Sequence, residues 1–323
     1  MTIEVHLTAA DAAAALRADV LAGLTASPKW LPPKWFYDAR GSELFELITA
    51  LPEYYPTRAE RAVLAVRAGE FAAVARDAGV GTLVELGSGS SDKTRLLLDA
   101  LRAAGTLRRF VPLDVSESAL AASTEALAAA YPGLVVHGVV GDFTRHLELL
   151  PTGEGTAVAF LGGTIGNFVP EERAEFFGGL RKVLPAGSML LLGVDLVKPE
   201  SVLVPAYDDA RGVTAEFNRN VLRVLNRELG ADFDVEAFEH VALWDPAREW
   251  IEMRLRATRP MTVRVAGLDL DVAFAAGEEL RTEVSAKFRR EGVTAELADA
   301  GFRLERWWTD PAGRFAVALA TAA

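Results

Sequence analysis

From Thr82 onward the sequence alternates short apolar runs with segments of helical periodicity, and that alternation constrains the chain more than any other feature. Thr82–Leu86, Arg109–Leu113, Leu134–Val140, Ala157–Leu161 and Met189–Val194 are the expected strands, with helical patterns near 92–104, 116–130 and 171–184 between them. Runs that are apolar without alternation suit strands buried on both faces, and an intervening helix returns the chain to the start of a parallel neighbour. The expected core is an α/β, Rossmann-like sheet, mostly parallel and covered on both sides.

The flanking sequence follows other rules. Residues 9–26 read as a helix after Thr8, and Ser27–Asp38, dense in Pro, Trp, Phe and Tyr, reads as an ordered loop that either packs on a core or walls a site. Helical patterns follow at Gly41–Ala50 and, after the break Leu51–Thr57, from Arg58 to Ala78. Beyond 196 the expected elements are a long helix over 212–229, a short one over 234–239, and period-2 strands around Ile251–Ala257 and Val263–Val272. A helix over 291–300 precedes a terminal hairpin of Phe302–Trp308 and Phe315–Thr321.

Composition narrows the chemistry. With 34 Lys and Arg against 45 Asp and Glu, the formal charge of -11 repels polyanions and no basic patch offsets it, so no nucleic-acid partner is expected. The chain has no cysteine, and His6, His137, His146 and His240 lack ligand spacing, so no metal is expected either. No apolar run approaches the roughly 18 residues of a membrane span. The expectation is a cytoplasmic protein acting on a small molecule, with no membrane and no evident protein partner.

Glu85-Leu86-Gly87-Ser88-Gly89 places a tight glycine turn directly after the first apolar strand. Glycine there admits close backbone approach by a ligand. A nicotinamide-dinucleotide turn would carry a third glycine where this chain has Asp92, and an acidic helix start disfavours a pyrophosphate. Asp114, 25 residues after Gly89, ends the second strand and suits two ribose hydroxyls. Asp142 and Phe143, after the third, suit an adenine amino group and ring face. Singly, Asp114 could be a cap, Asp142 a turn former and Phe143 core; their order along the chain favours an adenosine ligand without phosphates.

In this order the motifs resemble the class I S-adenosylmethionine-dependent methyltransferases, a likeness extended by Leu184–Leu192 and the terminal hairpin, with its reversed last strand. More specific is Gly162-Gly163-Thr164-Ile165-Gly166-Asn167, which resembles the GSTIGN or GSSIGN segment of the histidine-specific Nα-methyltransferases of ergothioneine biosynthesis. Leu31–Asp38, Leu51–Thr57, Ala206–Asp209, Phe217–Asn220 and Thr282–Ser285 match that family as well. The resemblance implies a methyltransferase core over 60–195 and 286–323, and a substrate-binding α+β domain built from 8–59 and the insertion 196–285. It implies S-adenosylmethionine as methyl donor, held by Gly87, Lys93, Asp114, Asp142 and Phe143. It implies L-histidine as substrate and hercynine as product, with Asn167 and Tyr207 on the amino and carboxylate ends and Tyr37 near the amine. Asn167 and Tyr37 are the implied catalytic pair. Tyr54, Glu283 and Ser285 are implied for the imidazole, with Met253 shaping that end.

The residue types fit that assignment. An imidazole has two ring nitrogens, and a carboxylate with a hydroxyl can satisfy both. An apolar side chain in its place would strand Glu283, at a cost of roughly 1–3 kcal/mol or more. Without the resemblance Glu283 reads as an exposed strand carboxylate, Ser285 as a turn hydroxyl and Met253 as core. The competing functions are Nα-methylation of another aromatic amino acid such as tryptophan, a non-catalytic S-adenosylmethionine sensor, and a nicotinamide dehydrogenase. Gly163, where the family usually has serine, removes a hydroxyl beside the transfer site.

Overall fold

The apolar runs of the middle of the chain become neighbouring strands in the computed structural model, which describes residues 1–89, 93–150, 153 and 155–323, without the side chains of residues 118 and 119. A short strand β1 (Thr2–Val5) leads into helices α1 (Ala9–Thr25), α2 (Ala39–Thr49) and α3 (Pro56–Asp77). The alternating region then gives β2 (Thr82–Leu86), α4 (Thr94–Ala103), β3 (Arg109–Asp114), α5 (Glu117–Ala130), β4 (Val135–Val140), β5 (Thr156–Phe160), α6 (Pro170–Val183) and β6 (Met189–Asp195). Next come α7 (Glu200–Tyr207), α8 (Val213–Leu229), β7 (Phe238–Asp245), β8 (Trp250–Ala257), β9 (Met261–Val265), β10 (Leu270–Phe274) and β11 (Glu279–Ala286). The chain closes with α9 (Arg290–Asp299), β12 (Phe302–Thr309) and β13 (Phe315–Ala322).

These elements divide into two compact units, one of Met1–Thr8, Pro56–Val197 and Phe288–Ala323, the other of Ala9–Tyr55 and Lys198–Lys287. The first holds an eight-stranded sheet in the order β1-β4-β3-β2-β5-β6-β13-β12. Pairings from β1 to β6 are parallel, and β13 runs antiparallel to β6 and β12. This is the expected mostly parallel α/β sheet with a reversed last strand. All residues of β5 and β6 are buried, as continuous apolar strands covered on both faces must be. The register opposes Leu86 to both Leu113 and Phe160, so β2, β3 and β5 end level. Strand order reverses beside β2, the place where such sheets bind ligands.

The second unit carries a three-stranded antiparallel sheet, β11-β8-β7, and the hairpin β9-β10. Helix α8 buries Phe217, Asn218, Asn220, Val221, Leu222 and Leu225 and is bounded by Gly212 and Gly230, both left-handed at φ 71° and 59°. The helix expected over 234–239 is a single 3-10 turn, Val235–Ala237, because Phe238 turns into the core and starts β7. Neither β1 nor α7 was expected. β1 is a mostly exposed edge strand of only four residues, and α7 has eight residues with Pro205 inside it, so both depend on packing against a neighbour. The expected helix over 92–104 begins at Thr94 among the described residues, and Asp92 lies outside them.

The sheet core of the first unit encloses the carboxyl group of Glu85, which accepts from Thr94 Oγ at 2.6 and 2.7 Å. Burial pushes its pKa up to about 7 against the pull of Thr94 and Lys93. A carboxyl group raised in the folded state contributes stability that is complete below its unfolded value of 4.5 and is lost as pH rises through about 7. Glu85→Gln removes that dependence. Between pH 5 and pH 8 the wild type should lose about 2–3 kcal/mol relative to the variant in denaturant unfolding; parallel pH profiles would refute the assignment.

Candidate active site

In the first unit the turn after β2 is built from backbone. Gly87 and Gly89 hold φ of 67° and 50°, and a Cβ at Gly89 would meet nothing within 4 Å among the described residues. At Gly87 the nearest atom to such a Cβ is an edge carbon of Phe143, 3.7 Å away, so turn and ring border the same space. Asp114 Oδ2 accepts from Gly89 N at 3.0 Å, and Oδ1 from Ser116 N at 3.0 Å. Asp114 is therefore a cap as well as a candidate ribose ligand, since each carboxylate oxygen retains further lone-pair capacity. Asp142 likewise forms a turn, accepting from Thr144 N at 2.8 Å and Thr144 Oγ at 2.6 Å. Phe143 packs against Phe160 with ring centroids 5.2 Å apart. Ser88 Oγ is buried with no hydrogen-bond partner among the described residues. Open glycine backbone, two carboxylates at adjacent strand ends, an aromatic face and an unsatisfied hydroxyl together fit a nucleoside with hydroxyl and amino donors.

Lys93 is tied to a residue the sequence did not single out. Its Nζ lies 2.7 Å from Glu60 Oε2, and Glu60 Oε1 accepts from Gly162 N at 2.7 Å. Glu60, fully buried on α3, thus fixes the start of α4 and the Gly162–Asn167 segment at once. Gly162 and Gly163 adopt φ of 83° and 70° and enter the 3-10 turn Thr164–Asn167. A Cβ at Gly163 would touch only the Phe315 ring, at 3.5 Å, so glycine here relieves backbone strain rather than crowding.

The remaining sequence-predicted residues, Tyr37, Tyr54, Tyr207, Met253, Glu283 and Ser285, belong to the second unit. Tyr37 and Tyr54 both meet Phe45 edge-on, at 5.6 and 6.1 Å between centroids, in a cluster with Phe36 and Phe217. The loop carrying Tyr37 is held by Asn220, whose Nδ2 donates to Phe36 O at 3.2 Å and to Asp38 Oδ1 at 2.8 Å. Asp38 caps α2 by accepting from Gly41 N at 2.7 Å. Burial raises its carboxyl pKa, but donation from Gly41, Asn220 and Arg227 outweighs this and leaves it below the usual value. Tyr37 itself is 41% exposed.

Met253 and Glu283 are direct partners across β8 and β11, beside a bulge between Arg281 and Glu283. The bulge sets the parity that places Met253, Glu283 and Ser285 on one face. Thr282 within it donates to Asn218 Oδ1 at 2.6 Å and Met253 O at 3.0 Å. Asn218 Nδ2 lies 2.8 Å from His240 Nδ1, and His240 Nε2 lies 2.8 Å from Tyr207 O. A carbonyl only accepts, so His240 carries its proton on Nε2 and is neutral, consistent with burial lowering its pKa. This chain of contacts anchors the backbone of Tyr207. Its hydroxyl lies 2.7 Å from Ser285 Oγ, and Lys287 Nζ lies 2.8 Å from each of the two oxygens. Sequence reasoning assigned Tyr207 and Ser285 to opposite ends of a ligand, whereas in the fold they share a hydrogen bond. It passed over Lys287, although its spacing continues the period-2 series Glu283, Ser285.

Among the described residues no group of three or more His, Asp or Glu is placed to hold a metal, and no helix is long and apolar enough to cross a membrane. Asn220→Ala would take one of two donors from Phe36 O, which keeps Asp38 N, and one of three from Asp38, which keeps Gly41 N and Arg227. The expected loss is about 1–3 kcal/mol of stability, with amide exchange accelerated over residues 36–41; unchanged exchange there would refute the bracing role.

Comparisons with known proteins agree along nearly the whole chain. The family described as histidine-specific methyltransferase, SAM-dependent, matches residues 16–322. A histidine N-alpha-methyltransferase of Mycolicibacterium smegmatis is 60% identical over 98% of this chain and 97% of its own length. The protein of the same name from Mycobacterium tuberculosis is 58% identical over 95% and 94%. A more distant relative, the N-methyltransferase imqF of Aspergillus flavus, is 30% identical over 92% of this chain and 82% of its own. The chain belongs to the S-adenosylmethionine-dependent, histidine-specific methyltransferase family.

Proposed function

We propose that this protein trimethylates the α-amino group of L-histidine to give hercynine. The observation that carries the reading is the strand face of Met253, Glu283 and Ser285 with Tyr207 beside it, a carboxylate and hydroxyls matched to an imidazole, in a chain of this family. Bound S-adenosylmethionine supplies an electrophilic methyl group on a sulfonium. Gly87 and Gly89 admit the donor to the backbone, Asp114 takes its ribose hydroxyls, Asp142 its adenine amino group and Phe143 the ring face. Lys93, held by Glu60, supplies a cation for the donor's carboxylate.

On the substrate, Glu283 accepts from one ring nitrogen and Ser285 donates to the other, which fixes one tautomer, while Tyr207 with Asn167 holds the amino and carboxylate ends. Tyr54 bounds the ring and Met253 fills its apolar side. Asn167 and Tyr37 take the amine end, where transfer needs a neutral nitrogen with its lone pair aligned, so positioning supplies most of the rate. Neutral oxygen acceptors suit an amine that gains bulk and charge over three transfers, and aromatic rings stabilise the final cation. Tyr37 is 41% exposed, so protons released at that end have water as acceptor. L-histidine and S-adenosylmethionine are small polar molecules, which suits a cytoplasmic location.

Incubation with L-histidine and S-adenosylmethionine should yield mass gains of one, two and three methyl groups, all on the α-nitrogen, with tryptophan a poor substrate. Methyl label on the imidazole, or a tryptophan preference, would overturn the assignment. Glu283→Gln should raise KM for histidine about 10- to 100-fold, the worth of a charge-assisted hydrogen bond, and leave KM for S-adenosylmethionine unchanged.

A further inference from the structure

Lys287 is 3% exposed, at the end of the strand face that carries Glu283 and Ser285. Its backbone N donates to Glu249 O at 2.7 Å, continuing the β11–β8 ladder beyond the strand and fixing the side chain's parity. Its Nζ donates to Tyr207 Oη and Ser285 Oγ, both at 2.8 Å, and these two oxygens lie 2.7 Å apart. The three atoms close a triangle, and the ammonium also lies 4.7 Å from the centroid of the Tyr207 ring.

Proton accounting within the triangle has one outcome. An ammonium can only donate, so each hydroxyl oxygen spends one acceptor site on Lys287. The two hydroxyls hold two protons, of which one lies in the bond between them. The other points out of the triangle, from whichever hydroxyl does not donate within it. A cation at this distance from both oxygens makes that O–H a stronger donor and a poorer acceptor. The pair therefore offers a ligand one strengthened O–H donor, leaving a single weakened lone pair on the hydroxyl that donates within the triangle.

We propose that Lys287 is a positioning residue for the methyl-transfer reaction, orienting the Tyr207–Ser285 hydroxyl pair so that it donates to an acceptor atom of the amino-acid substrate. The proposal rests on the assignment of Tyr207 and Ser285 to the substrate. The acceptor chemistry has two sources in one molecule, a carboxylate oxygen or the unprotonated ring nitrogen. Glu283, two positions before Ser285, is acceptor-only when ionised, so the strand face pairs one acceptor with one donor and Lys287 keeps these roles from exchanging.

Steady-state kinetics of the full chain test this. Lys287→Met keeps the length and apolar stem but lets the hydroxyls reorient. It should raise KM for L-histidine at least about 30-fold with kcat within about 3-fold and KM for S-adenosylmethionine unchanged. Lys287→Gln, which keeps a neutral donor, should fall between, and reads the same split if the Met variant does not fold. Competition by histamine, which has the ring without the carboxylate, and by L-phenylalanine, which has the carboxylate without the ring nitrogens, distinguishes the two sources. A substitution that weakens only phenylalanine assigns the carboxylate; one that weakens only histamine assigns the ring. Unchanged binding of both, or equal losses in kcat and in both KM values with a lowered melting temperature, overturns the proposal and leaves Lys287 a packing residue. If the wild type fails to methylate histidine, the functional reading falls, while competition still reports on Lys287.

Discussion

The parallel register that sets Leu86 level with Leu113 on one side and Phe160 on the other is the constraint on which the first unit's candidate site depends. It brings the glycine turn, Asp114 and the Gly162–Asn167 segment to one edge of the sheet. Each is a loop with little rigidity of its own. The buried carboxylate of Glu60 then ties the last of them to the start of α4, bonded to Lys93 before that helix and to Gly162 N after β5. Both of its oxygens are hydrogen-bonded, as polar atoms in so dry a place must be. The residues proposed for the cofactor are thus arranged by backbone geometry first and by a single side chain second.

The second unit achieves its arrangement differently, with amide side chains as braces. Asn220 holds the loop of Tyr37, while Asn218 links Thr282 to His240 and through it to the carbonyl of Tyr207. Both asparagines are buried on α8. A buried amide that satisfies several partners rigidifies what it touches, because losing any one partner strands a polar group. The residues carrying the proposed chemistry are therefore oriented by others to which the proposal gives no part in it.

Several residues carry two duties. Asp114 caps the segment before α5, and Asp142 closes its own turn. The structural and functional readings that the sequence left open are compatible, since a carboxylate oxygen accepts more than one hydrogen bond. Gly163 shows the same economy at a point where the resemblance implies a serine. Its φ of 70° is one that serine tolerates poorly, so the missing hydroxyl removes strain along with a polar atom.

What the sequence by itself determined is local or periodic. Unbroken apolar runs specify strands buried on both faces, and glycine and aspartate at their ends mark the ligand edge. Those patterns carried the α/β class and the sheet strands of the middle of the chain, while the likeness of Gly162–Asn167 and its companion segments carried the family. β1 and α7 escaped because exposed or very short elements form only against a partner. Tertiary structure alone decided which polar groups meet. Tyr207, Ser285 and Lys287 close a triangle across separations of 78 and 80 residues, and Glu60 reaches Gly162 across 102. A hydrogen bond demands placement within a few tenths of an ångström, and only the packing of whole elements can supply it.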